Sequence, residues 1–254
     1  MKLTSARIED LLKGQLKDWK LARSNYEALS HVKTKEFTFD GFSVVVQFNP
    51  ARIRSSGAKI DTKSIQERKC FLCPGNLPEE QKSILSGNVY QVLVNPFPIF
   101  PKHFTIPTIA HTDQAILGRF VDMLDLAEDL DKFTIVYNGP KAGASAPDHA
   151  HFQAGNKGFL PIESDVKRLP KEVICEAEGL KVYTFKNYLR NVFLIEADSK
   201  ESAASFFNKL YSLLELKERE NEPMMNIITW YESKKWYSCI IPREKHRPDA
   251  YYSE

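Results

Sequence analysis

Apolar residues recur at helical spacing through the first thirty positions: Ile8, Leu11, Leu12, Leu16, Trp19, Ala22, Tyr26 and Leu29. That period predicts one amphipathic helix over 5–29. Asp40-Gly41 then stands between 35–39 and 42–48, the residue pair that a tight hairpin turn prefers. Residues 49–68 follow no period and carry Arg52, Arg54, Lys59, Lys63 and Arg68. From residue 89 the pattern becomes regular. It predicts strands at 89–95 and 103–107, then a helix over 112–130 with Thr112 as N-cap. Ile116, Phe120, Met123, Leu124 and Ala127 share one face of that helix. Strands at 133–137 and 149–154 complete the unit. The same order returns as strands at 180–185 and 192–197, a helix over 200–216, and strands at 225–230 and 236–241. Two β-β-α-β-β units therefore predict an α+β fold, with one mostly antiparallel sheet and its long helices on one face. Residues 1–170 read as an N-terminal helix, a hairpin and the first unit. Residues 171–254 read as a degenerate second unit packed on it as one body, since no low-complexity linker separates them.

The two units differ in chemistry. The last strand of the first contains Asp148-His149-Ala150-His151-Phe152-Gln153, whereas the second has Trp236-Tyr237-Ser238-Cys239-Ile240-Ile241 in that place. Side chains of an extended strand alternate faces, so His149, His151 and Gln153 are expected on one side. Upstream lies a loop rich in small residues, 137–145, which lets a ligand approach the backbone. Cys70 and Cys73 have the spacing of a zinc knuckle, although a redox pair or two buried thiols fit that spacing too. No second pair completes a local finger, so the other ligands must come from far along the chain. His111 and His149 are the candidates, with His103 the alternative to His111. Cys175 and Cys239 are isolated and read as core thiols.

Composition narrows the class. The 254 residues carry 35 basic and 33 acidic side chains, a net +2 that argues against nucleic acid or an anionic membrane as partner. No apolar run approaches a membrane span. The first ten residues are charged where a signal peptide needs an apolar core, and four cysteines do not make a disulfide scaffold. The expectation is a soluble cytoplasmic protein, whose internal duplication is compatible with a monomer. Arg52, Arg54 and Lys59, with Arg243 and Lys245 beyond the last strand, are candidates to neutralise a phosphate.

Three motifs in order resemble the histidine-triad (HIT) superfamily. These are Cys70-x-x-Cys73, the segment from Asn95-Pro96-Phe97 through His103-Phe104-Thr105-Ile106-Pro107 to His111 and Gln114, and His149-x-His151-x-Gln153. Gln153 at the third triad position is similar to the transferase branch, whereas the hydrolases typically carry histidine there. That branch includes galactose-1-phosphate uridylyltransferase, diadenosine tetraphosphate phosphorylase and GDP-hexose phosphorylases. The resemblance implies a HIT-like fold and a nucleotidyltransferase or phosphorylase. Its substrate would be a nucleoside diphosphate sugar or dinucleoside polyphosphate, and its acceptor phosphate or a sugar phosphate. It implies a structural zinc on Cys70, Cys73, His111 and His149. By the same resemblance His151 is the nucleophile that takes the nucleotidyl group, and Gln153 holds the phosphate being transferred. Asn95 would grip the ribose, and Asn138, Gly143 and Ser145 would lie beside the α-phosphate. Ser145 stands four residues before His149, where the family places its serine at three. A HIT-type hydrolase with water as acceptor and a zinc-stabilised nucleotide-binding module are the alternatives.

Overall fold

The first helical stretch forms as two helices rather than one. Thr4 caps α1 (Ser5–Asp18), its hydroxyl accepting from the Arg7 backbone N–H, and Trp19 then takes an extended conformation before α2 (Lys20–Leu29). The break lets the Trp19 indole lie buried on a cavity wall while Ile8 and Leu12 reach the core. The computed structural model describes residues 2–52, 62–247 and 249. Among these, no helix is long and apolar enough to cross a membrane.

The hairpin at Asp40-Gly41 is present as β1 (Lys33–Thr38) and β2 (Ser43–Phe48), closed by Phe39 N–H to the Phe42 carbonyl at 2.9 Å. A short helix follows, α3 (Thr62–Glu67). The main sheet then begins with β3 (Ser83–Ser86), β4 (Tyr90–Val94) and β5 (His103–Pro107). After these come α4 (Phe120–Asp129), β6 (Phe133–Asn138), β7 (His151–Asn156) and α5 (Pro161–Arg168). The second half contributes β8 (Lys171–Ala177), β9 (Leu180–Phe185), β10 (Phe193–Ala197), α6 (Lys200–Leu213), β11 (Met225–Glu232) and β12 (Lys235–Pro242).

Ten strands form one antiparallel sheet in the order β3-β4-β5-β7-β6-β11-β12-β10-β9-β8. The order is palindromic about the β6–β11 pair, where Ile227 stands opposite Tyr137 and Thr229 opposite Ile135. The expected α+β architecture is thus the one observed, with outer strands β3 and β8 and the short helix α5 beyond it. Side-chain alternation sorts the strands between two faces. One face carries Phe104, Ile106, Phe133, Ile135 and Phe152 from the first half and Val182, Ile195, Ile227 and Ile240 from the second, a single core under α4 and α6. Phe120 of α4 stacks on Phe207 of α6 with ring centroids 4.1 Å apart, and the Trp236 indole N–H bonds the Leu124 carbonyl. Full burial of side chains this size is worth roughly 1.5–3 kcal/mol each, so this continuous core is what joins the halves.

The opposite face is where the halves part. In the second half, Val192, Leu194, Trp230, Cys239 and Ile241 form a second apolar cluster capped by Ile162 and Val166 of α5. In the first half the same face opens into a cavity. Cys239 is a fully buried core thiol, as expected; Cys175 is only half-buried, at the bulge in the edge strand β8.

Two boundaries differ from the sequence pattern. Residues 112–119 are not helical, and Thr112 is no cap: its carbonyl accepts from the Ala150 N–H at 2.6 Å. The segment runs irregularly because its polar groups are used against the sheet, as the site below shows. His149 precedes β7 in a turn, with its N–H bonded to the Ala146 carbonyl. Its side chain is therefore oriented by that turn and not by strand alternation.

Candidate functional site

The cysteine pair, the turn before β7 and the end of β5 meet at one point. Cys70 Sγ lies 3.2 Å from His149 Nδ1, Cys73 Sγ lies 3.2 Å from His111 Nδ1 and 3.6 Å from His149 Nδ1. All four ligand atoms fall within 4.8 Å of one another. A tetrahedral zinc with thiolate and imidazole ligands places neighbouring donors roughly 3.3–3.8 Å apart, so the spacing suits such an ion. The tautomer agrees. His149 Nε2 donates to the Thr108 carbonyl at 2.7 Å, which leaves the Nδ1 lone pair facing the cysteines. Burial, and then the neighbouring Cys70, push the Cys73 thiol up, so holding its sulfur as a thiolate calls for a cation beside it. These four residues could hold a metal. His103, the alternative ligand, lies elsewhere. Arg68 braces the arrangement through its ion pair to Asp148 at 2.5 Å while lying over the Phe71 ring.

Beside the cluster is a cavity of about 360 Å³. His151 and Gln153 line it from β7, Thr105 from β5, Asn95 from the turn after β4, and Ser145 from the small-residue loop. Arg52, Phe71 and Trp19 complete the walls that matter here. His151 is held at both ends of its peptide by one side chain. The Gln114 amide accepts from the His151 N–H at 2.8 Å and donates to the His151 carbonyl at 3.0 Å and the Asn138 carbonyl at 2.9 Å. Gln114 thus occupies a ladder position where no strand pairs with His151 on that side, and this keeps 112–116 out of the helix. Glu222 from the second half pins the same segment, accepting from the Ile116 N–H at 2.8 Å and from the Tyr137 hydroxyl at 2.5 Å.

The His151 ring has a defined proton. Nδ1 lies 2.7 Å from the His149 carbonyl, an acceptor only, so Nδ1 carries the hydrogen. Burial pushes the pKa down to about 4, which keeps the ring neutral at ordinary pH. Nε2 then holds a lone pair, and among the described residues no hydrogen bond of His151 uses it.

Gln153 is oriented by His103, the residue that the sequence offered as an alternative metal ligand. His103 Nδ1 accepts from the Ile99 backbone N–H at 3.1 Å, so its hydrogen is on Nε2, which lies 2.8 Å from Gln153 Oε1. The amide is thereby fixed with its oxygen toward His103 and its NH₂ left to donate elsewhere. Burial pushes the His103 pKa down to about 3, and Phe100 packs edge-on to its ring at 5.1 Å. Phe100 reaches there because position 155 is glycine; a Cβ would sit 2.4 Å from the ring.

The remaining candidates divide. Asn95 faces the cavity, but its amide already donates to Thr105 Oγ1 and accepts from the Phe97 N–H. Asn138 Oδ1 accepts from Asn226 Nδ2 at 2.7 Å, directing that side chain to the second half. Gly143 has φ +101 in the same loop. Arg52 lies close enough to His103 to depress its pKa further. Arg243 bonds Asn226 Oδ1, and Lys245 pairs with Asp249. Arg54 and Lys59 lie outside the described residues. His103 was expected only as an alternative metal ligand and Gln114 only as a motif position, and Glu222 had no signal in the sequence; none was expected to orient His151 or Gln153.

A family model described as a domain of unknown function (DUF4922) matches residues 11–156. No curated protein matches the chain. Yeast Ap4A phosphorylase Apa2 in complex with AMP is similar over 96% of this chain and 82% of its own, with a TM-score of 0.63 and 18% identity. A second structure of yeast Apa2 gives 0.58 and 17%, covering 96% and 83%. A DUF4931 family protein from Bacillus cereus gives 0.47 and 16%, covering 67% and 89%. The likeness to Ap4A phosphorylase establishes the fold as HIT-like.

Proposed function

The chain belongs to the DUF4922 family, a domain of unknown function, and from its site we propose a nucleotidyltransferase or phosphorylase. The substrate we assign is a dinucleoside polyphosphate or nucleoside diphosphate sugar. The observation that carries this is the His151 ring: neutral, with Nδ1 tied to a carbonyl and Nε2 uncommitted on a cavity wall beside Gln153. The fold likeness to a protein named Ap4A phosphorylase, whose structure holds AMP, supports the same class.

In this reading Nε2 attacks the α-phosphorus. A P–N bond forms, the P–O bond to the leaving phosphate breaks, and its electron pair departs on that oxygen. An oxygen of inorganic phosphate or a sugar phosphate then attacks the same phosphorus and returns the pair to Nε2. Nδ1 keeps its hydrogen against the His149 carbonyl in both steps, which stabilises the charge that develops on the ring. Gln153 donates its NH₂ to a phosphoryl oxygen and cannot compete as a nucleophile. Ser145 and Arg52 lie where they can meet the phosphates, and Asn95 and Thr105 face a ribose. Phe71 and Trp19 offer aromatic surface to a base. Zinc held by Cys70, Cys73, His111 and His149 would be structural, locking the turn that delivers His151. Residues 171–254 are the degenerate counterpart of the catalytic unit in 1–170.

Nucleotides labelled at the α-phosphate, offered as a panel with and without inorganic phosphate, test the proposal. An acid-labile, alkali-stable adduct discharged by phosphate is expected. Discharge by water alone would make the protein a hydrolase, and tight nucleotide binding with no adduct would make it a binder and end the proposal.

A further inference from the structure

Phe71 behaves differently from its neighbours in the cysteine turn. Cys70 and Leu72 are buried in a cluster with Ala146, whereas the Phe71 ring is 46% exposed and lines the cavity. One face of that ring carries the Arg68 guanidinium, whose central carbon lies 4.7 Å from the ring centroid. Arg68 does not itself line the cavity, so any effect it has there passes through the ring. Asp148 fixes the guanidinium from the other side, its Oδ1 accepting from Nη2 at 2.5 Å. Both side chains of this pair are mostly buried, at 22% and 16% exposure.

The two turns that this pair joins have other fastenings. Asn76 Nδ2 donates to the Cys70 carbonyl at 2.9 Å, and Gln91 Nε2 donates to the Leu72 carbonyl at 3.3 Å. Leu72 packs on Ala146, whose carbonyl accepts the His149 N–H. The guanidinium, by contrast, sits at a cost. Its Nη1 is buried with no acceptor among the described residues, and a buried charged N–H without a partner is destabilising. What that placement achieves is a cation held over one face of a half-exposed aromatic ring.

We propose that Arg68 is a positioning residue for the nucleobase: tethered by Asp148, it holds Phe71 as a platform whose other face stacks on the base. This rests on the nucleotide reading above. The occupant is a flat heteroaromatic ring, since Phe71 offers a π face and no hydrogen bond. The guanidinium restrains the ring before a base arrives, so less side-chain freedom is lost on binding.

Calorimetric titration of the full chain with AMP and with ribose 5-phosphate, which lacks the base, tests this. The ratio of the two affinities isolates what the base contributes. Wild type should bind AMP at least about 10-fold more tightly, the scale of one base–aromatic stack. Phe71→Leu should remove most of that ratio. Arg68→Gln should lower it by about 3- to 10-fold, as loss of a cation over a ring does. Both variants should leave ribose 5-phosphate within about 2-fold. Asp148→Asn should act in the same direction as Arg68→Gln, and Arg68→Lys should restore part of the loss. Adding Arg68→Gln to Phe71→Leu should lower the ratio no further, because Arg68 acts through the ring. Equal weakening of AMP and ribose 5-phosphate is what a merely structural role gives, and it overturns the proposal. So does an unchanged ratio in Arg68→Gln, or a wild type that binds the two ligands equally. Circular dichroism and metal content identify a variant that has merely misfolded, and Asp148→Asn with Arg68→Lys then decides. The two proposals fail differently. A chain whose ratio falls in Arg68→Gln but which never forms the labelled His151 adduct retains the platform and loses the transferase. One that labels while Arg68→Gln leaves the ratio intact does the reverse.

Discussion

β7 and β12 occupy equivalent places in a palindromic sheet, yet one carries His151 and Gln153 and the other Cys239 and Ile241. On the helix-covered face the two halves are alike: both contribute aliphatic and aromatic side chains to one core. The difference lies on the other face. In the second half α5 lays Ile162 and Val166 over Trp230 and Cys239, and these side chains form a buried apolar cluster. In the first half that face is left open, walled by the cysteine turn and the α1–α2 break. A strand pair thus keeps its packing duty on one side and can change its chemistry freely on the other. The second half is still not a bystander, because Glu222 and Asn226 hold the segments that carry Gln114 and Asn138.

The largest effect should separate His151 from His149. His151→Ala should abolish the nucleotidyl adduct and lower turnover by about 10³-fold or more, the scale of removing a nucleophile, with metal and fold retained. His149→Ala should lose metal and stability as well as turnover. Persistent labelling of His151→Ala would place the nucleophile elsewhere.

The metal sharpens the contrast between the two buried cysteines. Cys70→Ser should lose the bound ion in elemental analysis and lower the melting temperature by several degrees, as loss of a structural zinc costs several kcal/mol. Cys239→Ala removes only a packed sulfur and should cost about 1 kcal/mol in chemical denaturation, with metal unchanged. Loss of metal from Cys239→Ala would remove the distinction between the halves.

A smaller effect is expected for the amide clamp. Gln153→Ala should lower kcat about 10²-fold, as loss of a transition-state donor does. His103→Ala should approach that loss, and the double variant should fall little further, since His103 acts by orienting Gln153. Additive losses would show that His103 has a separate role.

The smallest effect is on acid stability. Burial lowers the His103 pKa from the ordinary 6.5 to about 3 in the folded state. The unfolded chain therefore binds the proton first as pH falls. The neutral ring contributes fully above about pH 6.5, and that contribution is lost progressively down to about pH 3. His103→Gln, which cannot titrate, should show a shallower decline in unfolding free energy over that window, by up to about 1.4 kcal/mol per pH unit. An unchanged slope would mean that the ring does not titrate as its burial implies.

Local pattern was enough for several features. The Asp40-Gly41 hairpin, the strands around Phe104, Phe133, Val182, Ile195, Ile227 and Ile240, and the order of the two units all follow from turn chemistry and period. Those signals are short-range, and the physics that reads them acts within a few residues. The grouping of Cys70, Cys73, His111 and His149 was also anticipated, because few thiols and imidazoles were available and metal ligation restricts them sharply. What sequence could not supply were the interactions between segments distant in the chain. The helix expected from Thr112 starts at Phe120 because Gln114 and Ile116 bond to His151, Asn138 and Glu222. The helix expected through Trp19 breaks so that an indole can be buried. His149 leaves the strand because a turn aims it at the cysteines. Propensity and period weigh a residue against its neighbours in the chain; buried hydrogen bonds and packed rings weigh it against residues a hundred positions away, and where the two conflict only the assembled fold settles which is satisfied.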